Sequence, residues 1–133
     1  MNSFPGNITD IKTNGTMSIV CVQVDSGEKF MSVVIDTPES APYMIKGNKV
    51  NVLFKEMEVA VTTQKELDIS IENRITGNIT SMEEGVLLSR LVLETTIGEV
   101  IAIISTMSVK QMGLVEKMNV MIMVKLNEII LAP

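Results

Sequence analysis

The four residues Gly6-Asn7-Ile8-Thr9 recur as Gly77-Asn78-Ile79-Thr80 in the second half of a chain of 133 residues. A match that short arises by chance, so a genuine repeat requires the flanks to agree as well. They do. The first copy leads into "DIKTNGTMSIVCVQVDSGEKFMSVVID" and the second into "SMEEGVLLSRLVLETTIGEVIAIIS". Each holds a glycine turn (Gly15, Gly85), an apolar run, a second turn (Gly27-Glu28, Gly98-Glu99) and another apolar run. A short polar or helical stretch follows in both, "TPESAPYMIKG" and "STMSVKQMGLVEK". Both halves close on an apolar strand with a central lysine, Lys55 in "KVNVLFKEMEVAV" and Lys125 in "MNVMIMVKLNEIILAP". One structural unit is therefore written twice, over residues 1–63 and 69–133, with the polar segment "TTQKELDIS" as the join.

Alternation decides the architecture of the unit. Val20, Val22 and Val24 fall on one face of a strand, and the glycine turn after them punctuates a hairpin; Leu87, Leu91 and Leu93 fit the same period less strictly. Each half offers about five short strands and one helical turn, too little chain for a two-sheet sandwich. The expected fold is all-β: two tandem OB-like five-stranded Greek-key barrels, each with a short helix. A unit of about 65 residues is marginal alone, so the halves must pack on each other or on further copies. The final strand of each half lies close to the join, which leaves open an exchange of strands between the halves.

Composition excludes several classes of function. The net charge is −5, Lys and Arg are nowhere clustered, and the only aromatics are Phe4, Phe30, Tyr43 and Phe54, so a nucleic-acid groove with stacking platforms is not expected. The longest strictly apolar runs, "VIAII" and "VMIMV", are too short to span a membrane or form a signal segment. Cys21 has no second cysteine to pair with, and among valines it reads as a reduced core thiol. A cytoplasmic protein is the expectation, in which the Asn-Ile-Thr triplets are not glycosylation sites. The eleven methionines read as core fillers. With no histidine, nucleophile elbow or phosphate-cradling glycine loop, the chain offers neither a catalytic apparatus nor an N/S metal cage. It is not expected to be an enzyme.

The segments "SIENRITGNI", "IAIISTMSVKQMGL" and "NVMIMVKLNEIIL" resemble the Mop domain, also called TOBE. The family's opening Ser-x-x-Asn, glycine, Ala-x-Ile-Thr-x-x-Ser, Leu-Gly-Leu and closing lysine strand are matched by Ser70 and Asn73, Gly77, Ala102 with Ser105 and Ser108, Met112-Gly113-Leu114, and Lys125 with Ile129. Gly6, Thr37, Ser40, Gly47 and Lys55 keep that order in the first half. The resemblance implies a tandem, di-Mop protein of the cytoplasm that binds molybdate or tungstate between subunits of a homo-oligomer, a trimer or hexamer. It further implies a role in storage, homeostasis or sensing, with a molybdate transporter or regulator as a further partner.

Such an oxyanion has only acceptor oxygens, so its site must be built from donors. The resemblance assigns this to Ser70, Asn73, Ser105, Ser108, Lys125 and Asn127 in the second half, and to Thr37, Ser40 and Lys55 in the first. The chain departs from the family where Glu72 replaces an arginine, with Arg74 two residues on, and where Met57 and Asn127 replace a serine after the closing lysine. Read alone, the hydroxyls serve equally as helix caps and the lysines as solvated strand residues, while Glu39 and Glu128 read as a solvated face. The alternative function is an oligomeric interaction module with degenerate oxyanion sites.

Overall fold

The structure, a computed structural model, describes residues 1–133. The first half forms β1 (Asn2–Asn14), β2 (Met17–Val24), β3 (Lys29–Val34), β4 (Lys49–Phe54) and β5 (Ala60–Thr62). The second forms β6 (Asn73–Glu84), β7 (Leu88–Thr95), β8 (Gly98–Ser105), helix α1 (Thr106–Met112), β9 (Asn119–Val124) and β10 (Ile130–Ala132). Two five-stranded antiparallel sheets result, in the orders β10-β4-β1-β2-β3 and β5-β9-β6-β7-β8. Three hairpin-connected strands with the fourth returning beside the first is the Greek-key order the repeat suggested.

The closing strands are exchanged. β10 pairs with β4 of the first half and β5 with β9 of the second, with Leu131 opposite Val52 and Val61 opposite Ile122. The connections explain the crossing. A tight hairpin favours residues that accept positive φ, but neither Lys55–Val59 nor Lys125–Ile129 contains a glycine. Each instead runs extended into a short 3-10 turn, Glu56–Glu58 or Leu126–Glu128, and extended out again. The strand is carried across to the neighbouring sheet, and the buried side chains of both halves, Val52 and Phe54 with Leu91 and Ile122 among them, form one continuous core.

The repeated tetrapeptide is a structural device. A Cβ on Gly6 would stand 2.7 Å from the Gln23 carbonyl oxygen, and one on Gly77 would stand 2.9 Å from Cγ2 of Thr95. Only glycine lets β1 and β6 lie that close to their partners. Asn7 donates to the Gly47 carbonyl at 3.0 Å and Asn78 to that of Lys117 at 2.9 Å, tying down the loops that lead into β4 and β9. Ile8 and Ile79 are buried, and Thr9 and Thr80 donate to the carbonyls of Cys21 and Val92 where each strand bulges.

Several expectations need adjustment. Only the second half forms an α-helix; in the first, residues 38–48 make a series of turns. Pro42 removes a backbone donor and disfavours a helical Ala41, and Pro38 sits at the opening of the same stretch. Leu91 and Leu93 are buried as the alternation requires, but the third inward place of β7 belongs to Ser89, and Leu87 is exposed at the hairpin tip. Cys21 lies between the inward valines and is half-buried rather than in the core. Of the methionines only Met44, Met121 and Met123 are buried.

The repeat also exposes a weak point. The Gly47 and Lys117 N–H groups donate to Ile8 and Ile79 in the same way, and both residues have positive φ, +91° and +71°. A side chain in the left-handed region costs about 1–2 kcal/mol. Lys117→Gly is therefore expected to raise stability by up to about 1 kcal/mol, because glycine's larger unfolded-state entropy offsets part of the relief; chemical denaturation of both proteins measures it.

Candidate functional site

The two lysines occupy equivalent places. Lys55 follows β4 and Lys125 follows β9, each extended at the head of its 3-10 turn, and the carbonyls of Lys55 and Lys125 accept from the N–H groups of Glu58 and Glu128 at 3.0 and 2.9 Å. Both side chains are exposed and neither forms an ion pair; the only two pairs are Met1 ammonium with Glu56 and Lys46 with Asp10. An exposed ammonium outside any ion pair is the donor that a dianion requires. Met57 and Asn127, beside these lysines, are also exposed.

The hydroxyl pairs differ between the halves. Ser105 caps α1, its Oγ accepting from the Ser108 N–H at 3.1 Å and donating to the Ser108 Oγ at 2.9 Å. In the first half the Thr37 N–H donates to Ser40 Oγ at 2.8 Å, and Ser40 Oγ also donates to a carboxylate oxygen of Asp36 at 3.2 Å. The helix-cap reading holds for Ser105; Thr37 and Ser40 instead bond across a turn, there being no helix for them to cap. The Asp36 carboxylate opposes an anion beside Thr37 and Ser40, whereas no acid bonds to Ser105 or Ser108.

Asn73 is not at the surface. Its amide is buried, accepts from the Met31 N–H at 2.7 Å and donates to the Met31 carbonyl at 2.9 Å, on β3 of the other half. Asn2 is its counterpart, bridging the N–H and carbonyl of Ile101 on β8 at 2.8 and 2.9 Å. The resemblance gave Asn73 to the ligand; here both ends of its amide hold the two halves together. Asn2 was missed, although it precedes Gly6 by the same spacing by which Asn73 precedes Gly77.

Arg74 does not turn to Glu72. Its guanidinium donates to the carbonyls of Leu67, Ile69 and Ile71, folding the join between the halves around itself. Ser70, in that join, and Glu72, after it, are exposed. Glu128 departs from the solvated-face reading: it is half-buried. Burial first, then the Glu58 carboxyl, raises its pKa above the ordinary glutamate range, with Lys125 pulling the other way.

Within one chain, then, Ser105 meets Ser108 and Thr37 meets Ser40. No hydrogen bond joins either pair to Lys55, Lys125, Ser70 or Asn127. A cleft of about 600 Å³ between Asn78, Thr95 and Asn119, and its smaller counterpart of about 250 Å³ at Asn7 and Lys49, contain none of these residues. No hydrogen bond closes these donors into a cage in a single copy.

Known proteins resemble this chain in part of its sequence and in its fold. Residues 69–131 match the TOBE domain. The chain is 24% identical over 132 residues to the molybdenum transport protein ModE of Azotobacter vinelandii, covering 98% of this chain and 49% of that protein. It thus spans about half the length of that relative. Its fold is similar to that of the cytoplasmic molybdate-binding protein ModG, solved with molybdate bound, at a TM-score of 0.91 and 22% identity, covering 98% of this chain and 94% of that one. Residues 69–131 are thus similar to the TOBE domain, and the first half of the chain builds the same strand order a second time.

Proposed function

We propose that this protein binds molybdate or tungstate without catalysing a reaction, at sites completed by contact between copies of the chain. The observation that carries the reading is the pair of equivalent, exposed lysines outside any ion pair, Lys55 and Lys125, on a fold that in ModG accompanies bound molybdate. A tetrahedral dianion needs donors from several directions. One copy supplies Lys125, Asn127, Ser70 and the Ser105 and Ser108 hydroxyls on different outward faces, so a second copy must close the cage. The second half is the stronger site, since Asp36 stands beside the hydroxyls of the first and Met57 there has no donor where the second half has Asn127. Cytoplasmic storage or sensing suits such a module, with any signal passed to a separate partner.

Calorimetric titration with molybdate, tungstate and sulfate, with the mass followed by light scattering, tests this. Molybdate and tungstate are expected to bind an oligomer and sulfate to give no comparable heat. Lys125→Ala is expected to weaken molybdate binding about 10- to 100-fold, the value of one hydrogen bond to a charged group, and Lys55→Ala to have a smaller effect. An intact oligomer that gives no heat with either metal oxyanion would leave only the interaction-module function.

A further inference from the structure

The start of α1 is fastened to the tip of the β6–β7 hairpin by two buried hydroxyls. Ser89, the inward residue of β7 nearest the tip, is fully buried, and its Oγ lies 2.8 Å from Oγ1 of Thr106, which is buried as well. Thr106 Oγ1 donates to the Gly85 carbonyl at 2.8 Å, and the Thr106 N–H donates to the Leu87 carbonyl at 2.9 Å. With the Thr106 hydroxyl hydrogen committed to Gly85, Ser89 is the donor between the two hydroxyls. The hairpin itself is closed by the Gly85 N–H, which donates to the Leu88 carbonyl at 3.0 Å.

This clamp bears on the serines that follow. Ser105, the residue before Thr106, is the last of β8 and pairs with Leu88, so the ladder holds it on one side and the clamp on the other. Its Oγ accepts from the Ser108 N–H at 3.1 Å and gives its own hydrogen to Ser108 Oγ at 2.9 Å. The hydrogen left to donate outside the pair is therefore that of the Ser108 hydroxyl. The first half is built differently. Ser18 follows Gly6 by the same spacing by which Ser89 follows Gly77, and it is also buried. Its hydroxyl bonds to Thr13 Oγ1 at 2.9 Å and donates to the Asp36 carbonyl at 2.7 Å. The pairing of β2 with β3 ends at Ser18 and Val34, and no backbone hydrogen bond joins Asp36 or Thr37 to the β1–β2 hairpin.

We propose that Ser108 is the hydroxyl that donates to the oxyanion, and that Ser89, Thr106 and Ser105 are positioning residues that aim it. This rests on the oxyanion reading above and assigns roles within that site. A buried hydroxyl network in which every member is paired has a single arrangement. It fixes α1 against the hairpin before the anion arrives, so the Ser108 donor is not ordered at the expense of binding. Thr37 and Ser40 have no such clamp, which adds to Asp36 in making the first half the weaker site.

Molybdate calorimetry on the intact protein tests this in a cycle of variants, with the mass followed by light scattering. Ser108→Ala is expected to weaken binding about tenfold, the lower end for a hydrogen bond to a charged group. Ser89→Ala combined with Thr106→Val removes both partners of the buried hydroxyl bond and strands neither, so the fold is kept; it is expected to weaken binding about 3- to 10-fold, because the donor is misplaced rather than deleted. Ser89→Ala alone, which leaves Thr106 bonded to Gly85, is expected to act in the same direction and less. Thr106→Ser keeps the hydroxyl and is expected to restore binding to within about twofold of wild type. In a Ser108→Ala background, removing the clamp is expected to add no more than about twofold, since no donor remains to be aimed. A full further loss in that background, or undiminished binding without the clamp, overturns the positioning role and leaves the oxyanion reading standing. An intact wild-type oligomer that binds no molybdate overturns both.

Discussion

Phe54→Ala is expected to destabilise the entire chain, both halves together, by about 3–5 kcal/mol, the usual cost of removing a buried phenylalanine ring. Phe54 is fully buried at the end of β4, with the rings of Phe4 and Phe30 stacked on either side at centroid separations of 6.0 and 6.2 Å. The aromatic row is peculiar to the first half. Across the repeat Phe54 stands opposite Asn2 as Val124 stands opposite Asn73, so Val124 is its counterpart and Val124→Ala is expected to cost less. Because the core is continuous and each sheet ends in the other half's strand, scanning calorimetry should show one transition in wild type and variant, shifted to lower temperature in the latter. Two separate transitions, with only the first displaced, would mean that the halves unfold independently despite the exchange.

The repeat was legible because it rests on local rules: inward alternation such as Val20, Val22 and Val24, and glycine where a strand must approach closely. Those rules fix strands and hairpins within a half. They are silent on which sheet receives a strand after it leaves, and β5 and β10 change partners without altering their own pattern. The site was harder for the same reason. Lys55 and Lys125 are legible as equivalent positions, since the closing strands align. Glu128 has an ordinary solvated-face pattern and becomes half-buried in a turn that packs on β3 of the other half. Asn73 has the sequence position of a ligand, and only the location of β3 shows what its amide does.

That amide gives the other large effect. β3 and β8 are the outermost strands of their sheets, and the N–H and carbonyl of Met31 and of Ile101 are met by side chains, Asn73 and Asn2, rather than by a further strand. Each asparagine therefore imitates one residue of a neighbouring strand, covering an edge that would otherwise invite pairing with another chain. Asn73→Leu keeps the branched shape but leaves the half-buried Met31 N–H and carbonyl unpaired, at about 1–2 kcal/mol each, the lower part of the range for fully buried groups. The expected loss is about 2–4 kcal/mol, with faster amide exchange at Met31 than in the wild type. Asn73→Asp should be nearly as damaging at neutral pH, because a carboxylate accepts from the Met31 N–H but faces its carbonyl without a hydrogen; part of the loss should return in acid, where the protonated group donates again. A ligand residue would behave differently: Asn73→Asp would weaken oxyanion binding with stability unchanged, the pattern expected instead of Lys125→Ala. Measuring denaturation and molybdate affinity on the same two variants separates a clamp from a ligand, and the buried double hydrogen bond to Met31 places Asn73 with the clamps.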